Sequence, residues 1–210
     1  MDVDEQWRVI ESERIRLADL LDGLAPDQWE IGSLCAGWRV RDVAAHLSLV
    51  SNTPGIGTFV AAAIRGRGNL HRMNHDFSVR HANRPVEVIA ADIRTHAASR
   101  RLPVVTDRRN VLFDLLVHTQ DIAIPLGIWH EMPLEAARDG ATRVWTMGWP
   151  FHAQRRLSGL RLTATDVDWT VGHGSEVTGP IDAILLLLTG RPAALTRLTG
   201  EGTVSLGSRT

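Results

Sequence analysis

The 210-residue chain contains no lysine and no tyrosine; all 23 of its basic residues are arginine. That removes a lysine Schiff base, a phosphate loop built around its lysine, and tyrosine-based proton transfer from the available chemistry. A single cysteine, Cys35, excludes an internal disulfide framework and a cysteine-rich zinc site. No apolar run reaches the ~20 residues that a membrane span needs. A formal net charge of -1 supplies no overall basic field for nucleic acid or an anionic membrane surface. The opening residues, MDVDEQWRVI, are acidic where a signal peptide would be basic and then apolar, so a cytoplasmic location is expected. An anionic substrate must then be held by backbone amides, a metal, or guanidinium groups, whose planar fork suits carboxylates.

What is present is mostly helical period. WRVIESERIRLADLLDGL carries apolar residues at 10, 17, 20, 21 and 24, and Gly23 and Pro26 end it. VRDVAAHLSLV is a second helix that the pattern continues through FVAAAIRG. PVEVIAADIRTHAASRRL is a third, opened by Pro85, and a fourth runs from about Arg108 to Ile124 behind Asp107 as N-cap. Four amphipathic helices in residues 1–133 predict an antiparallel bundle. From residue 134 to 210 the pattern changes: one more helix (LEAARDGATRVWTMGW), short alternating pieces (LRLTATDVDWTV, GSEVTG), two apolar helices, and GTVSL as a closing strand. The expected class is α+β, a helical bundle followed by a small α+β domain. GHGSEVTG has neither the lysine nor the helix of a phosphate loop and reads as a hairpin turn.

The chemistry concentrates in DLLVHTQD. On a helix, Asp114, His118 and Asp121 share one face, while Leu115, Leu116, Val117 and Ile122 mark the helix as buried. A carboxylate and an imidazole one turn apart make a two-ligand metal clip, and His46 in VRDVAAHL is the best third ligand from a facing helix. Such a set leaves positions open on a divalent ion, as catalytic sites do, with Asp121 behind the ligands. The spacing alone leaves the plainer alternative open: either aspartate hydrogen-bonds His118 within an ordinary core. Cys35 could serve as a reactive thiol or a fourth ligand but reads rather as a small buried hydrophobe, and His71, His75 and His81 read as residues of a solvated connection rather than of a cleft mouth.

SLCAGWRVRDVAAHL, DLLVHTQDIAIPLG and LLLLTGRPAALTRLTGEG, in that order, resemble the mycothiol-dependent maleylpyruvate isomerase family, a branch of the DinB-like metal-binding four-helix bundles. The resemblance implies a divalent metal, usually zinc, on His46, Asp114 and His118, with Asp121 and Arg191 as catalytic residues. A further active-site arginine of the family falls in the connection after the second helix, where Arg72 and Arg80 stand. The family's isomerase has Glu where this chain has Asp114, one methylene shorter. By resemblance the thiol is mycothiol, the small thiol of actinobacteria. Its metal-bound thiolate adds to an activated double bond and leaves after rotation, or stays attached in S-transfer. The implied partners are a small electrophile and the thiol; a monomer or a homodimer is expected. A metal-binding module without catalysis, regulatory or thiol-sensing, is the alternative.

Overall fold

The computed structural model describes residues 1–52, 78–102 and 106–208. The chain forms two compact units. One holds Asp2–Val111 and His118–His130; the other holds Met1, Leu112–Val117 and Glu131–Thr210.

In the first unit, α1 spans Val3–Asp22. Its start is fixed by a capping box: the Glu5 amide donates to Asp2 Oδ1 (2.8 Å) and the Asp2 amide to Glu5 Oε2 (3.2 Å). Trp7, Ile10, Leu17, Ala18 and Leu21 form its buried stripe. Helix α2 spans Val40–Ser51 and α3 Val86–Thr95; both α1 and α2 pack on α3. The expected continuation of α2 through FVAAAIRG lies outside the described residues. Helix α3 is shorter than its sequence pattern. Just past its end Arg14 Nη1 donates to the carbonyls of His96 (3.4 Å), Ala97 (3.1 Å) and Ser99 (2.8 Å), which holds that segment in a non-helical path. Burial pushes the Arg14 guanidinium down to about 10, so it is still charged at neutral pH. Helix α4 spans Arg108–Ala123, with Asp107 accepting the Asn110 amide at 3.0 Å as its N-cap.

The second unit contains α5 (Leu134–Thr146), the short α6 (Ala153–Arg156), β1 (Leu160–Ala164), β2 (Thr170–Gly172), β3 (Ser175–Gly179) and α7 (Ile181–Leu188). Helix α7 packs on α5, and seven of its eight residues are buried, which explains a helix with no polar face. The sheet order is β2-β1-β3, antiparallel between β1 and β2 and parallel between β1 and β3. GHGSEVTG is therefore not a hairpin turn. The chain leaves β2 on one side of β1 and crosses the start of β1 through His173 and Gly174 to reach β3 on the other. The crossing needs glycine, because a Cβ on Gly172 would lie 2.3 Å from the Leu160 carbonyl oxygen. One on Gly174 would lie 2.1 Å from that of Gly159, and both residues have positive φ (+75° and +115°). Gly174→Ala is expected to destabilise the protein by about 3 kcal/mol, read as a lower urea midpoint at unchanged slope.

GTVSL is likewise not a strand. Thr199 makes a single bridge with Thr178, each amide donating to the other's carbonyl at 2.8 Å. Gly200, at φ +107°, then turns the chain into 3-10 helix over Glu201–Ser208, where Val204 is exposed and Leu206 is buried. Among the described residues no helix is long and apolar enough to cross a membrane.

Candidate metal centre

Helix α4 is buried yet polar on one face, as DLLVHTQD requires. Asp121 is 0 % exposed, and its Oδ2 lies 2.8 Å from His118 Nδ1. A buried carboxylate is an acceptor, so the proton of that bond is assigned to Nδ1, and the lone pair of the imidazole is at Nε2. This is the arrangement in which a carboxylate orients a metal-ligating histidine and raises its basicity.

His46 projects from α2, 7 % exposed, with Val40, Val43 and Leu47 buried beside it. Its ring centroid is 5.0 Å from that of His118, the planes at 75°, and Trp38 stacks edge-on against it at 5.8 Å. Asp114 lies one turn before His118 on α4. One donor atom each from His46, Asp114 and His118 lie within 4.8 Å of one another. Two imidazoles and one carboxylate at that spacing fit a divalent ion with open positions. The three residues singled out in the sequence are thus brought together.

A residue that the sequence reads as a buried hydrophobe rather than a ligand joins them. Cys35 is half-buried, not a core residue: its Sγ donates to Asp121 Oδ2 at 3.0 Å and lies 3.6 Å from His118 Nδ1. Cys35, His118 and Asp121 form a second group with donor atoms within 4.8 Å. The signal was present in SLCAGW, where a small turn directly precedes the helix bearing His46, but spacing along the chain does not say that the turn folds back onto α4.

Arg191 follows α7, and its place is set by the helix end. Gly190, at φ +81°, donates to the Leu187 carbonyl (3.0 Å) and the Arg191 amide to that of Leu186 (2.9 Å), the paired bonds of a Schellman motif. Arg156 Nη2 satisfies the carbonyls of Leu187 (2.7 Å) and Leu188 (2.9 Å), and Arg191 Nη1 donates to the Thr189 carbonyl (2.7 Å). The string LLLLTGRP is therefore a helix stop that presents an arginine. Arg80 is exposed, on the helical turn that follows the undescribed stretch; Arg72, His71 and His75 lie outside the described residues.

His81 is not solvated. Its Nε2 lies 3.3 Å from Ser48 Oγ and 3.1 Å from Arg84 Nη1, with Asp92 Oδ2 at 4.0 Å. Burial, and then the Arg84 cation, hold its imidazole below the ordinary histidine value against the opposing pull of Asp92. The unfolded chain takes up this proton near pH ~6.5 while the folded one resists it. Stability from this group is therefore complete above that pH and falls as pH drops through the lower folded value. Urea midpoints at neutral and mildly acidic pH should show a smaller acid loss in His81→Gln than in the wild type.

Residues 10–102 match the family model described as the mycothiol maleylpyruvate isomerase N-terminal domain. Two solved structures share the fold. The crystal structure of the mycothiol-dependent maleylpyruvate isomerase matches with TM-score 0.66 at 12 % identity, over 96 % of this chain and 93 % of that one. A histidine-to-alanine mutant of the same enzyme matches with TM-score 0.65, also at 12 % identity, with the same coverage of both chains. No curated protein matches the chain by sequence. The motif that carries His46 lies inside the matched segment, so residues 10–102 are similar to the mycothiol maleylpyruvate isomerase N-terminal domain, and the chain shares the fold of the two solved structures.

Proposed function

We propose that the protein is a metal-dependent enzyme that uses mycothiol to isomerise a small electrophile with an activated cis double bond. One observation carries the proposal: His46, Asp114 and His118 converge within 4.8 Å, with Asp121 behind His118. When bound, a divalent ion, zinc by family resemblance, supplies a lowered thiol pKa, from the usual ~8.5 into the range where thiolate prevails.

The residues of the chain do the rest. His46, Asp114 and His118 would hold the ion, each offering one donor atom. His118 would offer Nε2 because Asp121 holds the Nδ1 proton, and the Asp121 carboxylate raises the basicity of that imidazole as a ligand. Arg191 is assigned the substrate carboxylate, a bidentate role no lysine in this chain could share. Arg72 and Arg80 are the candidates for holding the thiol cosubstrate. Addition of thiolate to the double bond leaves a single bond free to rotate, and departure of the thiolate restores the alkene in the trans form. Retention of the adduct on the same residues would be S-transfer. The protein is proposed to act in the cytoplasm, where reduced thiol is abundant.

The test is turnover of maleylpyruvate by zinc-loaded protein with and without mycothiol, followed as loss of the cis isomer. Isomerisation that requires both metal and thiol supports the proposal. Stoichiometric metal binding with no reaction, and no thiol adduct by mass spectrometry, would favour the binding-module reading instead.

A further inference from the structure

The turn between Ile31 and Arg39 is built with unusual economy for so short a segment. The Ser33 amide (2.8 Å) and hydroxyl (2.9 Å) both donate to the Trp38 carbonyl, while the Trp38 amide donates to the Cys35 carbonyl (3.0 Å). The Cys35 amide donates back to Ser33 Oγ at 3.1 Å. At its base Gly32 bridges Arg39, and the Val40 amide donates to the Ile31 carbonyl at 2.8 Å. The Arg39 guanidinium holds Asp42 through Nε (2.9 Å) and Nη2 (3.0 Å), and Glu30 through Nη1 (2.7 Å). Backbone and hydroxyl groups that would otherwise seek water are spent on fixing one geometry.

That geometry grips Asp121 twice. The Leu34 amide donates to the Asp121 carbonyl at 3.1 Å, and Cys35 Sγ donates to Oδ2 at 3.0 Å. Oδ2 is also the oxygen that accepts from His118 Nδ1. One carboxylate oxygen thus receives two donors, one from the turn and one from its own helix. Trp38, on the same turn, packs against His46. The turn therefore reaches both histidines of the centre, one directly and one through a carboxylate.

We propose that Cys35 is a positioning residue of this centre: its thiol fixes the Asp121 oxygen that fixes the His118 ring. Without the thiol the carboxylate, shut off from solvent, loses the donor that the turn supplies to Oδ2, and its rotation about the Cβ–Cγ bond is less restrained. The His118 tautomer and ring orientation then lose their restraint. A serine keeps a hydroxyl donor at the same position; an alanine does not. The proposal rests on the metal-centre reading for one of its two readouts only.

The experiment uses the full chain as wild type, Cys35→Ser and Cys35→Ala, each checked by its thermal midpoint without metal. The first readout is nitrogen-15 NMR of histidine-labelled, metal-free protein. His118 should hold the Nδ1–H tautomer in wild type and Cys35→Ser and become a tautomer mixture in Cys35→Ala. The second is zinc affinity by chelator competition, expected to fall about tenfold in Cys35→Ala and to remain near wild type in Cys35→Ser. An alanine variant equal to wild type in both readouts overturns the proposal, as does a serine variant that falls as far as alanine. A tautomer shift in protein that binds no zinc would sink the metal reading and leave the positioning role standing. No shift and no zinc binding would sink both.

Discussion

His118→Ala is expected to lose the metal, to lower thiol-dependent turnover by about a thousandfold, and to weaken the metal-free fold. The turnover loss corresponds to roughly 4 kcal/mol of transition-state stabilisation. The fold is affected because His118 is more than a ligand: its Nδ1 is 2.8 Å from a carboxylate with 0 % exposure. Deleting the ring takes from the buried Asp121 carboxylate the donor at 2.8 Å, a loss expected to cost about 3 kcal/mol. His46→Ala makes the contrast. It removes a proposed ligand and an edge-on contact with Trp38 but leaves the bond between Asp121 and His118 in place. Both variants should therefore purify without metal, while urea midpoints in chelator should fall much further for His118→Ala. Equal midpoints would mean that the Asp121–His118 bond contributes little to the fold.

The second large effect is expected at Asp121. Asp121→Asn keeps size and can keep an oxygen towards His118 Nδ1, but it removes the negative charge that makes the imidazole a stronger donor. Metal affinity is expected to fall between about 10-fold and 100-fold, the range for carboxylates behind ligating histidines. Turnover at saturating metal should fall as well, since a His118 that donates more weakly to the metal changes how strongly the metal acidifies the thiol. Chelator competition and initial rates, measured on the same preparation, check the two parts separately. An unchanged affinity with reduced turnover would assign Asp121 to the reaction alone.

The centre was legible in the sequence wherever its residues share one helix or one repeating pattern. Asp114, His118 and Asp121 follow from the helical period, and His46 from its place among Val40, Val43 and Leu47. Arg191 is singled out only by family resemblance, and the Gly190 helix stop accounts for the form of its motif. Cys35 was not legible, because its partner Asp121 lies far along the chain and no period links a turn to a helix across that distance. The same limit hid His81, whose Ser48 and Arg84 contacts come from a neighbouring helix and the turn's own end. In the second unit, alternation found β1 and β3 but not their parallel pairing, which depends on two glycines passing over the end of β1. GTVSL has strand composition, yet Gly200 and Gly202 lie against the sheet where a Cβ would collide, so the chain turns there. Helix α3 is shorter than its pattern, and the carbonyls just past its end are held by Arg14 of α1, a partner that no pattern within the segment reveals.

The most direct test is X-ray absorption at the metal edge of the zinc-loaded protein, before and after mycothiol is added. The account predicts a first shell of nitrogen and oxygen only, from His46, His118 and Asp114, that gains one sulfur when the thiol is supplied. Sulfur in the shell before any thiol is added would place Cys35 on the metal. A shell that stays free of sulfur after addition would contradict the proposed thiolate chemistry.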